Sequence, residues 1–175
     1  MQEARIHHVG SLVAALVAGT LGAPAALAAP FQGAREAANR VPARSLVAAA
    51  RDRAAAKLRR PECREVLSDF RDAAGRRLSE ILEERRVGAA EFLSSLVFVD
   101  GRATALCQRG NVAAGANPGS IYIGVCKETF ARVEATDPGL ATNGVIHEML
   151  HALGLGENPP TSEEITRQVV RRCGR

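Results

Sequence analysis

At 175 residues the chain has room for one domain. Five Phe, one Tyr and no Trp leave the core to be built from Leu, Val, Ile and Ala. The net charge of +4 comes from arginines that often alternate with Asp or Glu. With no aromatic interleaving and no nucleic-acid motif, they read as solvated helix faces, which argues against a nucleic-acid partner.

Residues 9–29 are apolar, Ala-rich and uncharged, and Ala26-Leu27-Ala28 fits an A-x-A cleavage site before Ala29. The expectation is a signal peptide over residues 1–28 and a secreted or periplasmic product with no stable membrane insertion after cleavage. An uncleaved anchor is the alternative, against which Gly19, Gly22 and Pro24 break the apolar run. Residues 29–60 read as a lead-in. Its first part, 31–40, is polar and aperiodic, and Ser45 is placed to cap a helix that reaches about Arg60 and ends at Pro61. That helix has few large apolar residues, so the domain proper is expected over residues 61–175.

From Cys63 onward Val66, Leu67, Phe70, Leu78, Ile81 and Leu82 recur at three- and four-residue spacing, interrupted by Gly75. One kinked helix and two short ones fit equally. Val87-Gly88 marks a break, and residues 89–94 suit a further turn of helix. Residues 95–99 then read as a strand. Asp100-Gly101 predicts a two-residue hairpin that returns residues 102–107 antiparallel. A glycine- and alanine-rich loop over 111–119 turns at Asn117-Pro118-Gly119 into a third strand, 120–126. Asp137-Pro138-Gly139 opens a helix carrying Leu140, Val145, Ile146, Met149, Leu150 and Leu153, with Gly154 as its stop. Pro159-Pro160 is expected to hold the next link extended. Thr161-Ser162-Glu163-Glu164 reads as a capping box for a last helix through Ile165, Val169 and Val170. The sum is an α+β domain: N-terminal helices, a small, mostly antiparallel sheet, a central helix and a short C-terminal one.

Cys63, Cys107, Cys126 and Cys173 form an even set without a C-x-x-C pair, which suits disulfides in an oxidising compartment; four separate thiols are the alternative. Of three pairings, Cys107–Cys126 closes a short loop and Cys63–Cys173 ties the start of the domain to its end. In the chain-entropy model a loop of about 110 residues stabilises by roughly 4–5 kcal/mol.

The chemistry concentrates in His147-Glu148-Met149-Leu150-His151. Of four histidines, only these two lie outside the first eight residues. On a helix, residues four apart share a face, so both imidazoles can bind one Zn2+ with Glu148 beside them as general base for water acidified by the metal. A catalytic zinc usually takes a third protein ligand. Gly154 lets the chain turn back toward the metal, which favours Glu157. Glu163 and Glu164 are rivals, although capping and the helix dipole already account for them.

His147-Glu148-Met149-Leu150-His151-Ala152-Leu153-Gly154-Leu155-Gly156-Glu157 resembles the zincin metallopeptidases, and is similar to the extended metzincin pattern H-E-x-x-H-x-x-G-x-x-H/D with Glu in the last place. The stretch through Asn158-Pro159-Pro160 and Glu164-Ile165-Thr166 resembles small secreted bacterial metallopeptidase-like proteins. Metzincins also carry a methionine turn after the motif, whereas the methionines here are Met1 and Met149, so the likeness is to the broader zincin class. The resemblance implies a zincin-like fold and hydrolysis of peptide or protein substrates. By analogy residues 120–125 would bind substrate in extended form. Tyr122 is then a candidate oxyanion stabiliser, with an ordinary strand position as the alternative. A competing expectation is a catalytically inactive, zinc-stabilised binding or envelope protein on the same scaffold.

Overall fold

A computed structural model describes residues 42–174. The expected signal peptide over 1–28 and the 31–40 lead-in lie outside the described residues. Among those described, no helix is long and apolar enough to cross a membrane. The chain is α+β. In order it forms α1 (Ala43–Leu46), α2 (Ala48–Leu58), α3 (Pro61–Arg64), α4 (Val66–Asp69), α5 (Leu78–Glu84), α6 (Ala89–Ser95), β1 (Val97–Asp100), α7 (Ala105–Gln108), β2 (Ala114–Ala116), β3 (Tyr122–Val125), α8 (Lys127–Thr136), α9 (Pro138–Ala152) and α10 (Ser162–Cys173).

α9 is the axis of the fold. Asp137 caps it by accepting from the Leu140 N–H at 2.9 Å, and Pro138 occupies the first turn, where a missing N–H costs nothing. Its end is a Schellman turn: Gly154 N–H donates to His151 O, Leu155 N–H donates to Leu150 O, and Gly154 sits at φ +111°. Residues Val145, Ile146, Met149, Leu150, Ala152 and Leu153 are all buried. α2, α8, α10 and β2 pack around this helix.

The first packing partner was not legible as such. Ala50, Ala54 and Leu58 share one face of α2 and are buried against α9 and α6. Small side chains there let two helix backbones approach closely, so α2 belongs to the core and not to a lead-in ending at residue 60. The helix also sends Arg53 to Glu134 and Thr142, and Lys57 to Asn143. Ser45 lies inside α1 and caps nothing, while Pro61 begins α3 in place of merely ending its predecessor.

The sheet among the described residues has three strands in the order β1-β3-β2. β1 pairs parallel with β3 and β2 pairs antiparallel with it, so the sheet is mixed where a mostly antiparallel one was expected. The expected hairpin at Asp100-Gly101 does not form. Gly101 N–H instead bonds Val125 O, and residues 102–104 turn into α7, which Thr104 caps. A Cβ at Gly101 would stand 3.0 Å from Cys107 Sγ and 3.1 Å from the β3 backbone. Glycine is there for close approach, not for a two-residue turn. β2 emerges from what read as a loop, because Ala114, Gly115 and Ala116 carry no strand-like side chains.

Residues 63–84 hold neither one kinked helix nor only two short ones: the end of α3 is followed by α4 and α5, and the turn between α4 and α5 has Gly75 at φ +81°. Both disulfides form as paired above, Cys63–Cys173 and Cys107–Cys126. The Thr161–Glu164 capping box is present. The Pro159-Pro160 link is not extended: both peptide bonds preceding these prolines are cis, and Asn158 N–H closes back on Pro160 O at 2.8 Å.

Candidate metal centre

The 3.6-residue repeat of α9 puts His147 and His151 on one face, with their Nε2 atoms 3.0 Å apart. Each ring is held from behind. His151 Nδ1 lies 2.7 Å from Leu155 O, and a carbonyl only accepts, so Nδ1 carries a proton and Nε2 is the ring nitrogen turned toward His147. That carbonyl is in place because the Schellman turn buries Leu155 directly after the helix. His147 Nδ1 lies 3.0 Å from Thr166 Oγ1 on α10, an oxygen able to accept from it.

Glu157 completes the group. After Gly154 the chain doubles back, and Glu157 Oε1 reaches 3.3 Å from His151 Nε2 and 3.8 Å from His147 Nε2. The ligand atoms of all three residues fall within 4.8 Å of one another. Four ligands at ~2.1 Å in a tetrahedron are separated by roughly 3.4 Å, so the donor set has the spacing and chemistry of a zinc site. A second imidazole proton is a poor alternative to a cation here, since burial, with His151 adding to it, pushes His147 down to about 4. Glu163 and Glu164 are elsewhere: Glu163 pairs with Arg167 at 2.5 Å, and Glu164 accepts from Thr161 N–H at 2.8 Å.

Glu148 is buried beside the rings. Burial pushes its carboxyl up to about 8 and the charge of Glu157 adds to the rise, while a hydrogen bond from the Ala116 backbone N–H works the other way. Other buried polar residues of α9 are satisfied: Thr142 donates to Pro138 O, and Asn143 accepts from Lys57 and donates to Gly174 O. Among the described residues, Glu148 Oε2 is the one buried side-chain polar atom without a partner. An orphaned carboxylate oxygen costs free energy unless something outside the protein engages it.

The group opens on a cleft of about 790 Å³. One side is α9 with His147, Glu148 and His151; the other is the 106–118 segment, including β2. Comparison with known proteins gave no match. No family model fits the chain, and neither a curated protein nor a solved structure matches it.

Two assignments made by analogy move. Residues 120–125 cannot offer a free backbone edge to a substrate, because β3 is the central strand, paired on both sides. The strand edge at the cleft is β2. Tyr122 is 58% exposed, on the sheet face opposite buried Ile123 and Val125, and does not line the cleft. That leaves it an ordinary strand residue. Thr166 and the Ala116 N–H were missed. For Thr166 a signal existed, since it follows buried Ile165 at the inner side of the capped helix. The Ala116 N–H had none, because a backbone group carries no residue type.

Proposed function

We propose that this chain is an exported, zinc-dependent peptidase of zincin type, in which His147, His151 and Glu157 hold the metal and Glu148 is the general base. The observation that carries it is the convergence of two imidazole Nε2 atoms 3.0 Å apart with a carboxylate oxygen at 3.3 and 3.8 Å, at the wall of a cleft shared with Glu148. Two disulfides favour an oxidising compartment.

Zinc, when bound, supplies Lewis acidity that acidifies water and polarises a carbonyl. The chain's own residues do the rest. Leu155 O and Thr166 fix the ring orientations, so neither imidazole must reorganise. Desolvation makes the ionised Glu148 a stronger base than an exposed carboxylate, and in that form it can take a proton from the attacking water. As the new C–O bond forms and the peptide C–N bond breaks, Glu148 returns that proton to the leaving amine. The outer edge of β2 offers backbone groups along which an extended peptide can add as a further strand.

Zinc content and peptide hydrolysis, measured together, test this. Wild type is expected to hold about one zinc, and Glu148→Gln to keep it while losing hydrolysis by at least ~10²-fold. Glu157→Ala should lose the metal and Glu164→Ala retain it. Disulfide-bonded protein that binds no zinc would sink the reading. Zinc bound without hydrolysis in wild type would favour the inactive binding protein instead.

A further inference from the structure

Charge is unevenly placed along the cleft. Its two carboxylates, Glu148 and Glu157, belong to the metal-binding end, and of Lys and Arg among the described residues only Arg109 lines it. The backbone that carries Arg109 is fixed from two sides. Cys107–Cys126 ties α7 to the end of β3, and the Gly110 carbonyl accepts from Thr129 Oγ1 at 3.4 Å. The Arg109 side chain is exposed and pairs with no carboxylate among the described residues, whereas Arg53, Arg102 and Arg172 each pair with one. Asn111, whose amide can donate a hydrogen bond, also lines the cleft.

Strand register sets where that cation stands relative to Glu148. Gly115 pairs with Gly124, and Ala113 O accepts from Cys126 N–H, which directs the backbone groups of residues 113 and 115 at β3. Those of Ala114 and Ala116 then turn to the open edge, and the Ala116 N–H reaches Glu148 there. Further on, Gly119 N–H bonds His151 O. The wall therefore runs from Arg109 past Ala114 to Ala116 at Glu148, and on to the histidines. A peptide added antiparallel to β2 points the C-terminal side of its cut toward Ala114. Each residue advances about 3.4 Å, so the second or third residue past the cut comes level with residues 113–114, toward Arg109.

We propose that Arg109 is a specificity residue that binds a carboxylate two or three residues beyond the bond cut, on its C-terminal side. That carboxylate is an Asp or Glu side chain or the free C-terminus of the peptide, either of which a guanidinium can grip with two parallel N–H···O bonds. The position relative to the cut rests on the peptidase reading; the anion site itself needs no metal.

Binding is read first on the full-length protein with chelator present, where an acid cannot ligate zinc instead. The probes are acetyl-tetraalanine with a free C-terminus, its C-terminal amide, and that amide with Asp as the last residue. In NMR titrations the two acidic peptides should bind at least about fivefold more tightly than the neutral amide and shift the Arg109 Nε–H signal. Added salt should shrink the difference. Arg109→Gln, melting as wild type does, should bind all three alike, and Arg109→Glu should prefer the neutral amide. With zinc loaded, mass-spectrometric mapping of cuts in a peptide mixture should enrich Asp or Glu two or three residues past the cut, or cuts at that distance from a free C-terminus. Which enrichment appears distinguishes the internal acid from the terminal one, and Arg109→Gln should remove it. Equal binding of acid and amide to wild type, or an acid preference kept by Arg109→Gln, overturns the inference. Cleavage by wild type with neither enrichment also overturns it and leaves the peptidase reading intact. Acid binding through Arg109 without any cleavage when zinc is present leaves the anion site standing and removes the peptidase reading.

Discussion

The two walls of the cleft are built on opposite plans. The α9 wall is deeply buried, capped at both ends, and backed by α2 and α10. Its buried polar side-chain atoms have partners except Glu148 Oε2. The 106–118 wall is half-buried or exposed, poor in large side chains, and held by a three-residue strand and the Cys107–Cys126 bridge. Under the proposed function the contrast separates two tasks. Groups that share one metal must be fixed to within a few tenths of an ångström, which requires an over-determined support. A wall that receives a substrate backbone needs an accessible strand edge and little side-chain bulk, and a covalent tie keeps it in place where a core cannot.

The disulfides give the largest test of that contrast. Cys63–Cys173 spans 110 residues and clamps α10 behind the α9 wall; Cys107–Cys126 spans 19 and clamps the β2 wall. Replacing the first pair by serine should cost about 4–5 kcal/mol in denaturant unfolding, and replacing the second about 3 kcal/mol. The division of labour predicts more than this order. Loss of Cys107–Cys126 should weaken peptide binding while zinc affinity holds, and loss of Cys63–Cys173 should weaken zinc affinity as well. If both pairs affect zinc equally, the walls are not independent.

A smaller effect is expected at Thr166, which reaches the rigid wall from α10. Thr166→Val leaves His147 Nδ1 without its partner and should lower zinc affinity by about 10–100-fold, with Thr166→Ser restoring most of it. Competition against a chromophoric chelator reads this directly. Thr166→Val binding zinc as wild type does would show that α10 supports the site sterically only.

The smallest effect is at the foot of α10. The hydrogen bond and charge of Arg172, with help from Gln168, hold Asp69 below the usual carboxylate range. A carboxyl with a depressed folded pKa binds fewer protons folded than unfolded as pH falls into that range. Its stabilisation is therefore full above the usual Asp range and is lost on acidification through the folded value. Asp69→Asn should lower stability at neutral pH by ~1 kcal/mol or less, with the difference from wild type closing on acidification, which pH-dependent denaturant unfolding reads.

Much of the α9 side could be read in the sequence because its signals are local. The cap at Asp137, the stop at Gly154, the i, i+4 histidines and the Thr161–Glu164 box each act within a few residues. Glu157 was also within reach, since a glycine-made reversal brings back only nearby residues. The β2 side resisted reading for the opposite reason. Ala114-Gly115-Ala116 becomes a strand only through pairing with β3, and Asp100-Gly101 gives a hairpin signal that pairing with Val125 overrides. α2 was undervalued because alanine carries no hydrophobic signature, although its smallness is what lets α2 lie close to α9.

By itself, then, the sequence determined the donor types, their spacing along one helix and the turn that returns a carboxylate, because those depend on helix period and backbone conformation. Only the tertiary structure decided which strand edge faces the cleft and which hydroxyl backs His147. Those depend on what packs against what, and no local preference encodes the partner.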